Sequence, residues 1–508
     1  MFNIAILLLT LLLHILSIES VYAEQINESI NHAELKRNID SSKFPLVITT
    51  YKGHFLENEK YAGGIFSCNS ETYVFSRLGS ISKFNGTNFI KNTSIKNIDL
   101  GFTSEAIENK YELNTGTFRL HKLKCDEINK YLYATHEFYN SSTQKPEFRL
   151  SRIKIKFVGA NIISTGDWQA LFQSEPLKSK PYIGAAGGGG LAVNDLNYVY
   201  FAIGDYNLDG VLNRENKNNA AYIAAQDTKS KFGKVYRLRK SDGYTELFSK
   251  GHRNPQSLLF DTDKKLYLTE HGPQGGDKII SVLIGKNYGW PYLTYGSNYG
   301  SYKWPLKSSE DFGLPLFSFV PSIGISSIIK IDNFHEEWND DFIITSLKFQ
   351  SIFRIRIREN RVIFSEPIFI GERIRDGLIK KNKIYFWTDL GNIIALEINK
   401  SKLTKNKTNQ DIKYAALEKC LVCHHLGVSN SSHIAPSLSG LIGRFAGSDP
   451  GFNKYSDAIK TKKNLIWNRS NLENFLKNPH KIIENTNMPN LNLSSTEVEN
   501  AIKIIEGL

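Results

Sequence analysis

Between residues 61 and 398 the apolar positions fall on alternate residues in short runs, each closed by a Gly, Asn or Asp turn: ETYVFSRLG, NKYLYATHEF, LNYVYFAIGD, KKLYLTEHG, NKIYFWTDLG. A period of two predicts half-buried strands, and turn signals this regular predict an all-β unit. The run is too long for a simple sandwich. Repeated sheets of this kind fit a β-propeller better than a barrel, but without a strict repeat the pattern does not give the number of blades. A polar stretch, NKSKLTKNKTNQD at 399–411, then interrupts the alternation and reads as a linker. After it the period changes. Residues 412–423 have helical spacing, and Ser494 with Glu497 forms a capping box ahead of Val498, Ala501, Ile502 and Ile505, one apolar helix face. The pattern predicts a multidomain chain: all-β over 24–398, a linker, and a small all-α domain over 412–508.

The first residues change the cellular picture. Residues 4–18 are almost wholly apolar, and Val21 and Ala23 stand at −3 and −1 of a cut after Ala23. Residues 1–23 therefore read as a signal peptide, although the segment before the apolar run lacks the usual Lys or Arg. No later run is long enough to span a bilayer. The expectation is an exported, soluble, periplasmic protein with no membrane span after cleavage. The 508 residues carry 63 Lys and Arg against 51 Asp and Glu, a net +12. These charges are dispersed, so they predict a basic surface or a docking face for an acidic partner and no nucleic-acid site.

There are four cysteines. In an oxidising compartment Cys68 and Cys125 form a disulfide or stay as two buried thiols. Cys420 and Cys423 lie in EKCLVCHHLGV. A zinc site needs a second ligand pair, and none is near. A redox dithiol belongs in a βαβ unit, which the helical pattern does not offer. C-x-x-C-H is the attachment signature of c-type haem, with thioethers at Cys420 and Cys423 and His424 on the iron. Such an iron needs a sixth ligand. The chain has two methionines, Met1 and Met488, so the mature chain offers Met488 alone, and His/Met ligation suits electron transfer. The segment APSLSGLIGRFAGSDPGFNKYSDAIK (435–460) makes this domain resemble class I cytochromes c over nearly its whole length. The resemblance implies that the Pro436 carbonyl accepts a hydrogen bond from the His424 ring. It also makes Tyr455 and Trp467 candidate donors to haem propionates, with plain packing as the alternative.

GHRNPQSLLFDTDKKLYLTEHGPQGGDKIISVLIGKNYGWPYLTYG (251–296) and GERIRDG (371–377) together resemble the soluble PQQ-dependent glucose and aldose-sugar dehydrogenases, a six-bladed propeller family. Weaker similarity spans 184–398, and 24–180 match poorly. The resemblance implies that Arg253, Asn254, Lys348, Arg373 and Arg375 hold PQQ. Arginine forks and a lysine suit its three carboxylates, with Arg253 also stabilising charge on a quinone oxygen. It implies a calcium ion on the backbone of Gly272 and Pro273. One departure stands out. The family's general-base histidine falls on Ala186 in GAAGGGGLAVNDLNYVYFAIGD. Either another base has moved in, with His271 the nearest candidate, or the substrate needs less help, or the propeller no longer catalyses. The expected function is oxidation of a small-molecule aldose or alcohol, with electrons passing to the haem and on to a downstream cytochrome or oxidase. The alternative is an electron-transfer cytochrome whose degenerate propeller is a binding or docking module.

Overall fold

A computed structural model describes residues 35–41, 44–53, 61–92, 94–101, 118–177, 186–210, 222–297, 307, 311–400, 417, 419–421, 423–427 and 434–508. The signal segment 1–23, the linker residues 401–411 and most of the helical stretch expected over 412–423 lie outside the described residues. Within them the alternating segments form six antiparallel sheets, all but one built from strands close in sequence. The first strands of the blades, Gly64–Cys68, Leu120–Asp126, Gly188–Ala192, Asn254–Phe260, Ile325–Lys330 and Ile374–Lys380, neighbour one another around a central axis. This is a six-bladed β-propeller.

The sixth blade closes the ring. Its strands Ile374–Lys380, Lys383–Thr388 and Ile393–Ile398 pair onward with Pro45–Tyr51, and Leu35–Asp40 covers the outer edge. Leu46 faces Ile398 and Ile48 faces Leu396 in this register, and both N-terminal side chains are buried. Each such side chain contributes about 1.5–3 kcal/mol. The core is divided into wedges between blades. One joins Tyr200, Ala202 and Val235 of the third blade to Leu258, Leu268 and Ile280 of the fourth. Where both faces of a blade pack against neighbouring sheets, alternation gives way to continuous burial, as in the strand Phe342–Ser346.

Antiparallel pairing also explains where chemistry can gather. It brings the start of each first strand and the end of each second strand to the same end of the propeller, as Asn254 opposite His271 and Ile374 opposite Thr388 show. Of the two readings of Cys68 and Cys125, the structure has the disulfide, with the Cα atoms 5.6 Å apart, linking the inner strands of the first two blades.

The C-terminal unit is helical. Arg469–Lys477, Pro479–Ile482 and Ser495–Glu506 pack around Leu438, Trp467, Phe475 and Ile483. Ser494 caps the last helix, Glu497 returns the bond, and Val498, Ala501, Ile502 and Ile505 are its buried face. Ile434 packs on the propeller's Phe349–Phe353 cluster, and the Lys454 ammonium lies 4.6 Å from the Phe349 ring. Among the described residues no helix is long and apolar enough to cross a membrane.

The disulfide closes a segment with a sequence separation of 57. Replacing both cysteines by serine should lower unfolding free energy by about 4 kcal/mol on a chain-entropy basis. Urea unfolding of the double variant against the oxidised parent checks this, and equal midpoints would refute it.

Candidate functional site

Arg253 sits immediately before the Asn254–Phe260 strand, at the propeller end just described. Four contacts hold it. Its N–H donates to Glu270 Oε1 at 3.0 Å, and its carbonyl accepts from the Asp205 N–H at 2.8 Å. Its Nη1 donates to the Gly272 carbonyl at 2.8 Å, and its guanidinium lies 5.4 Å from the Trp290 ring centre. Its Nε is buried and has no partner among the described residues. A buried N–H of a cation left open in this way fits an anionic or quinone oxygen. Asn254 lies alongside, its side-chain oxygen accepting from the Gly188 N–H at 3.0 Å and from Gln256 at 2.7 Å.

Arg373 and Arg375 reach one side of the sixth blade, and both donate Nε to the buried Asp389, at 2.8 Å each. Burial raises the Asp389 pKa, but Arg375 and Arg373 outweigh it and hold the carboxyl below its ordinary range. The shared carboxylate fixes both forks and leaves terminal nitrogens for a ligand. Lys348 follows the Phe342–Ser346 strand and is exposed. Lys348, His271, Gly272 and Pro273 all line one cavity, and Arg253 and Arg375 lie within electrostatic reach of His271. The residues expected to contact PQQ thus come together at one end of the ring.

The expected calcium position is less open. The Gly272 carbonyl accepts from Arg253, and the Pro273 carbonyl lies 3.4 Å from the Ser322 hydroxyl. Both Asp277 oxygens are taken, by the N–H groups of Gly272 and Ile325. Among the described residues no group of three side-chain ligands forms there; the grouping that does meet that description contains the disulfide cysteines. A calcium ion at this turn would have backbone carbonyls alone and would compete with a guanidinium.

Ala186 holds no imidazole and adopts φ 58°. His271 is half-buried, its Nε2 atom buried and without a hydrogen-bond partner among the described residues. Burial lowers its pKa against the opposing pull of Asp277. Several site groups are not singled out by the motifs. Asp205, in the GD turn, accepts from the Trp290 indole at 2.6 Å, and burial followed by Asp209 pushes its pKa up to about 7. Glu270 joins His252, Lys278 and the Arg253 N–H. The motifs GHR and TEH carry both His252 and Glu270, so the signal was present; their pairing across two strands was not.

The helical unit builds its own part. Cys420 and Cys423 are free thiols in a turn where the His424 N–H returns to the Cys420 carbonyl at 3.0 Å. His424 Nδ1 bonds the Pro436 carbonyl at 2.8 Å, as the resemblance implied, and this turns Nε2 toward the cavity. Cys420, Cys423, His424, Met488, Tyr455 and Trp467 all line a largely apolar cavity of about 990 Å³. It is large enough for a porphyrin, with thiols, an imidazole and a thioether on its walls. Tyr455 accepts from the Asp449 N–H at 3.2 Å, which leaves its own proton to donate. This is also the cavity lined by His271, Pro273, Val320, Ser322 and Lys348 of the propeller.

A propeller whose His271, Pro273 and Lys348 line the same cavity as a C-x-x-C-H turn defines a redox class of protein. The family profile described as Glucose / Sorbosone dehydrogenase matches residues 122–395, more than half of the chain, and the chain belongs to that family, with a cytochrome c-related C-terminal region fused to it. The aldose sugar dehydrogenase of Escherichia coli is 29% identical over 231 residues, 41% of this chain and 58% of that protein. The chain thus spans about three fifths of the length of the curated relatives it matches over the propeller. Cytochrome c2 of Agrobacterium tumefaciens is 38% identical over 85 residues, 16% of this chain and 76% of that protein. The apo crystal structure of the E. coli soluble aldose sugar dehydrogenase superposes with a TM-score of 0.56 at 20% identity, covering 70% of this chain and all of that one, which establishes the fold.

Glu270 supplies a pH test. Burial raises its pKa, but Lys278, His252 and the Arg253 N–H bring it down to about 2 from 4.5. A depressed carboxyl stabilises the fold above 4.5 and loses that contribution as pH falls through about 2. Glu270→Gln should cost about 3 kcal/mol at pH 7, with the gap to wild type closing between pH 4.5 and 2. Denaturant titrations across that range measure it, and a pH-independent gap would contradict the assignment.

Proposed function

We propose that this chain is an exported dehydrogenase that oxidises an aldose or a related alcohol at its propeller and passes the electrons to a haem c on the same chain. The observation that carries the reading is the single cavity lined by both units, with Pro273 and Lys348 on one wall and Cys423 and Met488 on others. The domain limits are taken as 24–398 for the propeller and 412–508 for the cytochrome.

PQQ, when bound, supplies a two-electron quinone acceptor, and haem supplies a one-electron relay. The residues that would hold PQQ are Arg253, Asn254, Lys348, Arg373 and Arg375; a calcium ion at Gly272 and Pro273 belongs to the same reading but carries no step in it. Arg253 keeps an N–H aimed at developing negative charge, and the low-dielectric surroundings strengthen that contact. Asp389 orients the two arginine forks. Cys420 and Cys423 would anchor haem covalently, and His424, set by Pro436, and Met488 would be the iron's ligands. Because donor and acceptor sites share a chain, transfer between them does not depend on protein concentration. A downstream cytochrome or oxidase would take the electrons onward. The periplasm is the compartment consistent with 1–23 as a leader.

Ala186 favours a second reading, in which the propeller binds and docks without catalysing. One experiment separates them. The mature chain is loaded with PQQ and Ca²⁺, an aldose is added, and haem reduction is followed by absorbance. Reduction that depends on substrate and PQQ supports the dehydrogenase. PQQ binding without reduction supports the docking module.

Two further outcomes are expected. Cys420→Ala combined with Cys423→Ala should abolish covalent haem, read by haem staining after denaturing electrophoresis; retained stain would put attachment elsewhere. Arg373 is about half exposed, so Arg373→Ala should weaken PQQ binding by an amount that added salt shrinks. Fluorescence titration showing wild-type affinity would remove Arg373 from the cofactor site.

A further inference from the structure

Within the glycine run 187–190, Gly187 and Gly189 leave room beside Ala186 that side chains from the second blade fill, while Gly188 and Gly190 face the fourth blade and Gly204. A Cβ on Gly189 would stand 2.3 Å from the His121 Cβ, and one on Gly187 would stand 3.1 Å from His121 Cε1 and from Glu137 Oε1. The glycine run is therefore the seat of a buried His–Glu pair. His121 Nε2 lies 3.3 Å from Glu137 Oε1, and both side chains are almost wholly buried. Glu137 is itself fixed, its Oε2 accepting from the Arg119 N–H at 2.8 Å and its Oε1 lying 3.5 Å from the Tyr206 hydroxyl.

We propose that His121, oriented by Glu137, is the general base for sugar oxidation in this chain, reaching from the neighbouring blade the place that Ala186 leaves without an imidazole. This rests on the dehydrogenase reading above. With Nε2–H toward Glu137, the lone pair sits on Nδ1. Its contact there is Arg119 Nε at 3.4 Å, long enough for a substrate hydroxyl to displace. His121, Gly188, Gln256 and Arg375 line a cavity of about 20 Å³, room for one hydroxyl-sized oxygen. Oxidation of a cyclic aldose to its lactone removes a proton from O1 and a hydride from C1. The proton would go to His121 Nδ1, and bound PQQ would supply the acceptor for the hydride.

The surroundings keep the lone pair available. Burial lowers the His121 pKa most, Glu137 raises it, and Arg119 and Arg375 lower it again. His136 and the Lys122–Asp376 pair are the adjacent titratable groups. His271 is placed differently. It faces the larger cavity beside Pro273 and Lys348, and both oxygens of Asp277, the carboxylate that acts on it electrostatically, are taken by backbone N–H groups.

The test uses the full mature chain with haem, PQQ and Ca²⁺, and glucose as probe. His121→Asn should lower kcat/KM for haem reduction by roughly 10²–10⁴ and abolish the fall in rate at acidic pH, while PQQ affinity stays at the wild-type value. Glu137→Gln removes the carboxylate that raises the imidazole pKa, so the acidic limb should move to lower pH. In the cofactor-free chain, the histidine NMR signal missing from H121N should titrate at lower pH in E137Q. Wild-type rate and pH limb in H121N would overturn the inference and leave the dehydrogenase reading intact. Should H121N fail to fold, the E137Q profile decides: a shifted limb supports the assignment and an unshifted one overturns it. PQQ binding by wild type with no aldose-driven haem reduction from neutral to alkaline pH would remove the dehydrogenase reading and the base with it.

Discussion

The strand Pro45–Tyr51, paired with Ile393–Ile398, is the constraint on which the rest of the molecule depends. A propeller is a ring, and its inner strands keep their spacing only if the last sheet is locked to the first part of the chain. Residues that would touch one ligand are drawn from the fourth, fifth and sixth blades, and their convergence is a property of ring closure. No single blade contains a site. Loss of the ladder between 45–51 and 393–398 would leave Arg373 and Arg375 on a free sheet, however intact their bond to Asp389.

Polar groups at this end are arranged in pairs whose members come from different strands. Glu270 organises the backbone of Arg253, Asp389 gathers two arginines, and Asp277 ties Gly272 to Ile325. Each is a buried carboxylate held ionised or hydrogen-bonded by its partners, and each fixes a neighbour at this end of the ring. The rigidity this gives is the preorganisation an oxidoreductase needs, since donors already in place cost no rearrangement when charge develops.

How much of this was readable in the residues differs between the two units. The helical unit was nearly transparent, because its chemistry is local. C-x-x-C-H lies in one turn, the capping box in another, and Val498, Ala501, Ile502 and Ile505 form the buried face that their spacing predicts. The propeller's strands were equally clear, since period two survives in every blade, but the blade number came from resemblance because no repeat is strict. The cofactor residues were visible as motifs. What stayed hidden was cross-blade: His121 lies in a segment that matches poorly, and its meaning depends on the glycines 187–190 in the next sheet. Two of those glycines, Gly187 and Gly189, leave the space that another blade's side chains occupy. Similarly, the calcium turn looked open in sequence, and only coordinates reveal the Arg253 fork on the Gly272 carbonyl.

The four cysteines have a consequence for maturation. Four thiols can form a single disulfide in several ways, and an oxidising compartment does not choose among them by itself. One arrangement, Cys68 with Cys125, brings inner strands of two blades to 5.6 Å and leaves Cys420 and Cys423 reduced. Any other single disulfide would consume a thiol that the proposed haem attachment needs. On that reading, folding of the first two blades would act as a sorting step, withdrawing one pair from thiol–disulfide exchange and leaving the other for the porphyrin.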